Sequence, residues 1–458
     1  MGRLVVQRSI VIALIYGLAL APNVGVQADW AGQEDLFGSS IAISGDTLVA
    51  GAPYAGENGA AYVFVRTGQS WADVNPAAIL VASNGEAGDE FGSAVAIDGD
   101  TVLVGAPYAD LGDDVNGLAY LFVKPQAGWD GVLTETALLQ ASASLGGEGF
   151  GSAVDISGDT ALVGAIFGAV DGNWGYGAAY LFDQPATGWA GALTETAKLY
   201  ASDGELGDLF GASVAISGDT AAVGAPRRDV GGNWDQGQVY LFRRPGAGWA
   251  GVLSETARLV ASNGADDEFM AELGNAVAID GDTVLAAAKS ADIGTNLNRG
   301  AAYLFLKPLG GWVGTQNEVA RLLPSDAQGS DFGVSVALDG ETALVGGLGA
   351  ILGAGRVTGA AYLYVKPAAG WAGELNQTAR LVASKGVVDD EFGVAVAIDG
   401  GVVGVGARSD NAGGYIDQGS AFVFVQPPTG WSGILIETVQ LLPWQRVDLY
   451  LPLVVRLE

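Results

Sequence analysis

The stretch Phe91-Gly92-Ser93-Ala94-Val95-Ala96-Ile97-Asp98-Gly99-Asp100-Thr101-Val102-Leu103-Val104-Gly105-Ala106-Pro107 decides the fold, because the chain repeats it, with substitutions, seven times. Its opening residue recurs as Phe37, Phe91, Phe150, Phe210, Leu273, Phe332 and Phe392. A small residue always follows 14 positions later: Gly51, Gly105, Gly164, Gly224, Ala287, Gly346 and Gly406. Further on, an aromatic and a Trp stand 9 residues apart in every copy, as in Tyr120/Trp129, Tyr180/Trp189 and Phe422/Trp431. A period near 60 residues with turn signals throughout defines a repeat architecture, in which similar units share one stacked core.

Each copy reads as four strands. Strand A follows Phe-Gly, as in Ala94–Ile97, and the tight turn Asp98-Gly99-Asp100 leads to strand B at Thr101–Gly105. Asp-Gly and Ser-Gly at this point are strong hairpin signals. Strand C is the Ala-Ala-Tyr-Leu-Phe stretch, as in Ala178–Phe182, and strand D follows the Trp at Glu195–Ala201. Strands B and C are almost continuously apolar, so both faces must be covered. Seven such sheets predict an all-β fold, a seven-bladed β-propeller of four-stranded antiparallel blades with almost no helix.

The fixed spacings confine length variation to the B–C and D–A loops, which an up-and-down sheet places on one face of the ring. Variable loops on a fixed scaffold are where binding usually resides.

The paired Phe-Gly and Gly-Ala-Pro motifs (Phe37-Gly38 with Gly51-Ala52-Pro53, Phe91-Gly92 with Gly105-Ala106-Pro107, Phe210-Gly211 with Gly224-Ala225-Pro226) resemble FG-GAP repeats. Such repeats build the seven-bladed propeller of integrin alpha subunits and occur in many exported bacterial proteins. The resemblance covers roughly residues 30–442 and departs at the Pro position in four copies (Ile166, Lys289, Leu348, Arg408). It implies a propeller that binds ligands on one face. In integrin-type repeats an Asp-rich loop between strands A and B holds calcium. The turns here are too short to wrap six to eight oxygens around an ion. We therefore expect no cofactor and no calcium at these turns, with calcium elsewhere as the alternative.

Composition excludes whole classes of chemistry. The 458 residues contain no Cys and no His, so disulfides, thiolate nucleophiles and the usual general base are absent. A net charge of −30 argues against nucleic acid as a partner. Residues 1–28 read as a signal peptide: Arg3 and Arg8, an apolar run from Ile10 to Leu20, and Val26-Gln27-Ala28 before the cut. The run is too short to span a membrane. The expected division is thus 1–28 signal, 29–442 propeller and 443–458 tail, with an extracellular or cell-surface location and no transmembrane segment once the signal is removed.

The acidic turn residues Asp46, Asp100, Asp159, Asp219, Asp282 and Glu341 recur in six copies, which favours a side chain bonded to local turn N–H groups over a metal ligand. Asp155 replaces an Ala in strand A and reads as a solvated carboxylate in the central channel. The best metal candidates are Asp266, Asp267 and Glu268, where the fifth copy carries extra residues.

Two tryptophans lie outside the repeat pattern. Trp174 and Trp234 stand in the B–C loops of copies three and four, within Asn173-Trp174-Gly175-Tyr176 and Asn233-Trp234-Asp235, with Arg227 and Arg228 upstream and Asp171 and Asp229 nearby. Aromatic faces beside amides and charges suit sugar stacking or a protein hot spot; equally, the rings could fold the loop tips onto the propeller. The candidate binding residues are therefore Asn173, Trp174, Tyr176, Arg227, Arg228, Asn233, Trp234 and Asp235. The expected role is a non-enzymatic binding or adhesion module for a glycan or protein. The alternatives are a carboxylate-based glycosidase or lyase on the same face, or a purely structural surface protein.

Overall fold

The computed structural model describes residues 34–443, apart from 69–70, 72–74, 112–115, 171, 264–270, 294–296, 326–330 and 353–355. In copy two, strand A (Ala94–Asp98), strand B (Thr101–Ala106), strand C (Leu118–Val123) and strand D (Ala137–Gln140) form one antiparallel sheet. The other six copies repeat this order, giving seven blades. The helical content of the described residues is a single 3₁₀ turn at Ala412–Gly414.

Six of the blades also carry a fifth strand that the sequence reading missed. The residues just after each Trp do not join the strand D that follows them. Gly191–Thr194 lies parallel to Ala137–Gln140, the outer strand of the preceding blade. Gly131–Thr134 does the same to Ala78–Val81, and the exchange continues to Gly433–Ile436 on Ala379–Val382. Strand D is accordingly shorter than expected, covering Ala197–Tyr200 in copy three. Blade seven has four strands, ending at Val439–Leu441.

A carboxylate fastens five of the six exchanged strands. Glu195 accepts hydrogen bonds from the backbone N–H (2.8 Å) and hydroxyl (2.6 Å) of Ser142 in the preceding blade. Glu135 with Ser83, Glu255 with Ser202, Glu318 with Ser262 and Glu437 with Ser384 repeat the clasp. Gln377 stands in for the acid at Ser325: its Oε1 accepts the Ser325 N–H (2.9 Å) and its Nε2 donates to the Ser325 hydroxyl (2.7 Å).

The core lies between blades. Each of seven apolar clusters joins two neighbours, such as Ala119, Leu121 and Leu139 of blade two with Tyr180, Phe182 and Trp189 of blade three. All seven repeat tryptophans are buried in these seams, so they anchor packing as expected. The opener rings pack there edge-on; Phe91 meets Tyr120 at 5.3 Å and Phe122 at 6.0 Å.

The ring closes in phase, blade seven keeping its own four strands. Ile41, Ile43 and Trp71 pack on Ala421, Val423 and Leu441. Apolar packing is not the whole of the closure. Glu34, Leu36 and Phe37 donate backbone hydrogen bonds to the carbonyls of Ile416, Asp417 and Gln418, at 2.8, 3.1 and 2.9 Å. Phe37 also forms a parallel bridge with Gly419, as Phe91 does with Gly59 at an interior seam.

Candidate functional site

The B–C loops of blades three and four share one local design. In each, Val and Asn exchange backbone hydrogen bonds across a tight turn: Val170 with Asn173 at 3.0 and 2.9 Å, Val230 with Asn233 at 3.1 and 3.0 Å. The turn projects the next residue, Trp174 or Trp234, from a rigid base.

Trp174 is 48% exposed and stacks on Phe167, with ring centroids 5.4 Å apart and planes 20° from parallel. Gly175 behind it donates to the Phe167 carbonyl, and Tyr176 is half-buried. One face of the indole is thus used by the loop, and the other part remains open.

Trp234 is 67% exposed. Its neighbours build the loop: Asn233 Nδ2 donates to Gln236 Oε1 (3.1 Å), and the Asp235 N–H donates to Asp229 Oδ1 (2.9 Å). Asp235 holds a left-handed φ of 49°, and burial raises its carboxyl pKa against the opposing charge of Arg227.

The two arginines part company. Arg227 is exposed. Arg228 is largely buried and paired with Glu205 (2.9 Å), Asp208 (3.4 Å) and Asp203 (3.6 Å), so its charge is spent on the loop at 203–208. That loop joins the two tryptophan loops into one surface. On its other side Gly207 donates to the Gly175 carbonyl at 3.1 Å, and a Cβ on Gly175 would lie 2.7 Å from Leu206 Cδ1. Leu206 is 68% exposed between them. Sequence reasoning missed this residue; a Leu inside the polar turn Gly204-Glu205-Leu206-Gly207-Asp208 was the available signal.

The other candidates resolve differently. Asp171, Asp266, Asp267 and Glu268 lie outside the described residues, as do the signal segment and most of the tail. Among the described residues no group of three or more acidic side chains is placed to hold a metal ion. Four of the six A–B turn acids sit in ion pairs with cations of their own blade. Asp100 pairs with Lys124 (3.1 Å), Asp282 with Lys307 (2.8 Å), Glu341 with Lys366 (3.6 Å), and Asp46 with Arg66. For these four the expectation that they bond turn N–H groups is corrected: they reach across to the basic residue just after strand C.

Asp155 is also corrected. It is half-buried, and it accepts the Ile216 N–H of the next blade at 2.6 Å. Burial pushes its carboxyl up to about 7, helped by the Asp98 charge and opposed by the Ile216 and Ile156 N–H groups.

No helix among the described residues is long and apolar enough to cross a membrane. Comparison with curated proteins finds no match. A family model, the FG-GAP repeat, matches residues 28–64, 75–122, 133–182, 193–242, 253–305, 316–364 and 375–424. Seven matched repeats, one per blade, cover most of the chain: it belongs to the FG-GAP repeat family.

Proposed function

We propose that this protein is an exported, non-enzymatic binding module that takes a carbohydrate across the B–C and D–A loops of blades three and four. One observation carries the reading: Trp174, Leu206 and Trp234 stand exposed on consecutive loops whose backbones are tied together. A flat aromatic held on a rigid loop stacks against a sugar ring with little loss of side-chain entropy. Asn173 and Arg227 supply exposed polar groups beside the rings. Near Trp234, the Asp229 carboxylate caps its own loop, which supports binding over hydrolysis there. The reading assigns no cofactor and no calcium to the A–B turns. The net charge of −30 makes nucleic acid a poor partner.

A protein ligand is the second reading, supported by Leu206, because an exposed aliphatic beside two aromatics suits a hot spot. A glycan array, followed by titration of the best hit, tests the first. Trp174→Ala and Trp234→Ala should each weaken binding at least about tenfold and leave the melting temperature within a degree or two. An array with no specific hit, or hits untouched by both substitutions, overturns the carbohydrate reading.

A further inference from the structure

Seven copies of one unit let every side chain be compared with its counterparts. Two residues before the opener, five copies place a buried acid: Asp35, Asp89, Glu148, Asp208 and Asp390. In blade four the acid is Asp208, and the blade supplies its own cations. The Arg228 guanidinium lies beside Asp208, Glu205 and Asp203, and Arg258 reaches Asp203 at 3.0 Å. Tyr240 completes the cluster by donating its hydroxyl to Asp203 at 2.9 Å.

Blade seven changes every partner at the same offsets from its opener. Asp410 stands for Arg228, Gln440 for Arg258, Phe422 for Tyr240 and Lys385 for Asp203. Both cations and the hydroxyl are gone, and a second acid has taken the place of the first cation. What remains is a cavity of about 200 Å³ bordered by Asp390, Asp410, Gln440, Phe422, Leu442 and Lys385. Asp390 is 3% exposed; its Oδ2 accepts the Val387 N–H at 2.6 Å, and its Oδ1 has no hydrogen-bond partner. Asp410 Oδ2 accepts from Ser420 Oγ (2.6 Å) and Gln440 Nε2 (2.9 Å).

We propose that this blade-seven cavity binds a small guanidinium cation, which occupies the place that Arg228 fills in blade four. A buried carboxylate without a partner is costly, and a cation with N–H donors removes that cost. Guanidinium matches the walls. Its planar fork donates to carboxylate oxygens, and its face stacks on an aromatic ring, here Phe422. Calcium fits less well, because it takes six to eight oxygens, whereas Phe422 and Leu442 present carbon. The volume is roughly that of seven waters at about 30 Å³ each, so the ligand is small. Lys385 at the rim is exposed, which leaves its ammonium in water. The acid is already perturbed without a cation: burial pushes the Asp390 carboxyl up to about 6, with Asp410 and Asp389 adding to it and the Val387 N–H opposing. This site is separate from the tryptophan loops of blades three and four.

Calorimetric titration of the full chain with methylguanidinium tests the proposal, with methylammonium and calcium chloride run in parallel. We expect one saturable methylguanidinium site per chain and weaker methylammonium binding. Asp390→Asn should weaken binding at least about tenfold. Asp410→Arg should abolish it by restoring the self-filled arrangement of blade four. Far-ultraviolet circular dichroism and the melting temperature establish that each variant folds. If Asp410→Arg fails to fold, Phe422→Tyr is the second test and should also weaken binding. The proposal is overturned by no saturable binding at millimolar methylguanidinium, or by binding that survives Asp410→Arg or, should that variant not fold, Phe422→Tyr. It is also overturned if calcium alone binds and is lost in the same variants.

Discussion

A Cβ built on Gly105 would lie 2.0 Å from the carbonyl oxygen of Gly151, the glycine after the opener of the next blade. This contact is the physical reason for glycine at the end of the second strand, which the neighbouring blade's backbone roofs; Gly151 itself is held at a φ of 91° with a built Cβ 2.4 Å from the Leu118 carbonyl oxygen. Gly51 meets Gly92 in the same way, and Gly406 meets Gly38 across the closing seam.

Gly105→Ala should therefore destabilise the ring by about 1–3 kcal/mol or more, as overpacking of a core does. Blade five offers the control, because Ala287 already stands there opposite Gly333, whose own built Cβ would lie 3.0 Å from the Ala287 Cβ. Ala287→Gly should cost only about 0.5–1 kcal/mol, chiefly through chain entropy. Urea unfolding of both variants measures the difference, and equal losses would contradict this account.

Removing a strand clasp tests the exchange between blades. Glu195→Ala deletes both hydrogen bonds to Ser142. The contact is solvent-exposed, so a loss of about 0.5–1 kcal/mol is expected rather than that of a buried charge. Faster amide exchange at Gly191–Thr194 should accompany it. Unchanged exchange there would assign the strand's hold to its backbone ladder alone.

Stability should also depend on Asp155 and pH. Its folded-state pKa, about 7, lies above the ordinary 3.8. The folded state therefore holds the proton where the unfolded chain has released it. This contribution is present at low pH and is lost as pH rises from roughly 4 to 7, by at most about 1.4 kcal/mol per pH unit and less where channel water screens the charge. Asp155→Asn should be stabilising relative to the parent at pH 8 and close to neutral at pH 4. Melting curves at the two pH values decide this; a difference independent of pH would refute it.

Deleting Glu437–Glu458 removes the Ser384 clasp and Val439–Leu441, the outer strand of blade seven. It also takes Leu441 from the cluster that closes the ring. The truncated protein should melt several degrees lower, since a lost buried Leu alone costs about 2–5 kcal/mol. A truncation that melts like the full chain would place the closure wholly on the Phe37–Gly419 bridge and the inner strands.

The candidate binding face was partly legible from the chain. Trp174 and Trp234 stood out because they break the repeat, and both project from the loops that vary. Arg228 was read as facing a ligand, yet it is buried among Asp203, Glu205 and Asp208. Its three acids come from a loop of another copy's connection, and no spacing within its own loop announces them. The blade-seven cavity escaped notice for the same reason, since Phe422 and Asp410 become informative only when set beside Tyr240 and Arg228.

By itself the sequence determined how many blades there are and where their four antiparallel strands run. Strand periodicity, turn glycines and fixed spacings act over a few residues, and seven repetitions made them unambiguous. Only the tertiary structure decided which blade each segment serves. Gly191–Thr194 carries no mark of its partner, because a short strand's hydrogen bonds are made by backbone groups common to every residue. Its place on blade two follows from an exposed edge at Ala137–Gln140 and a serine positioned to meet Glu195. Those are relations between distant residues, and packing alone sets them.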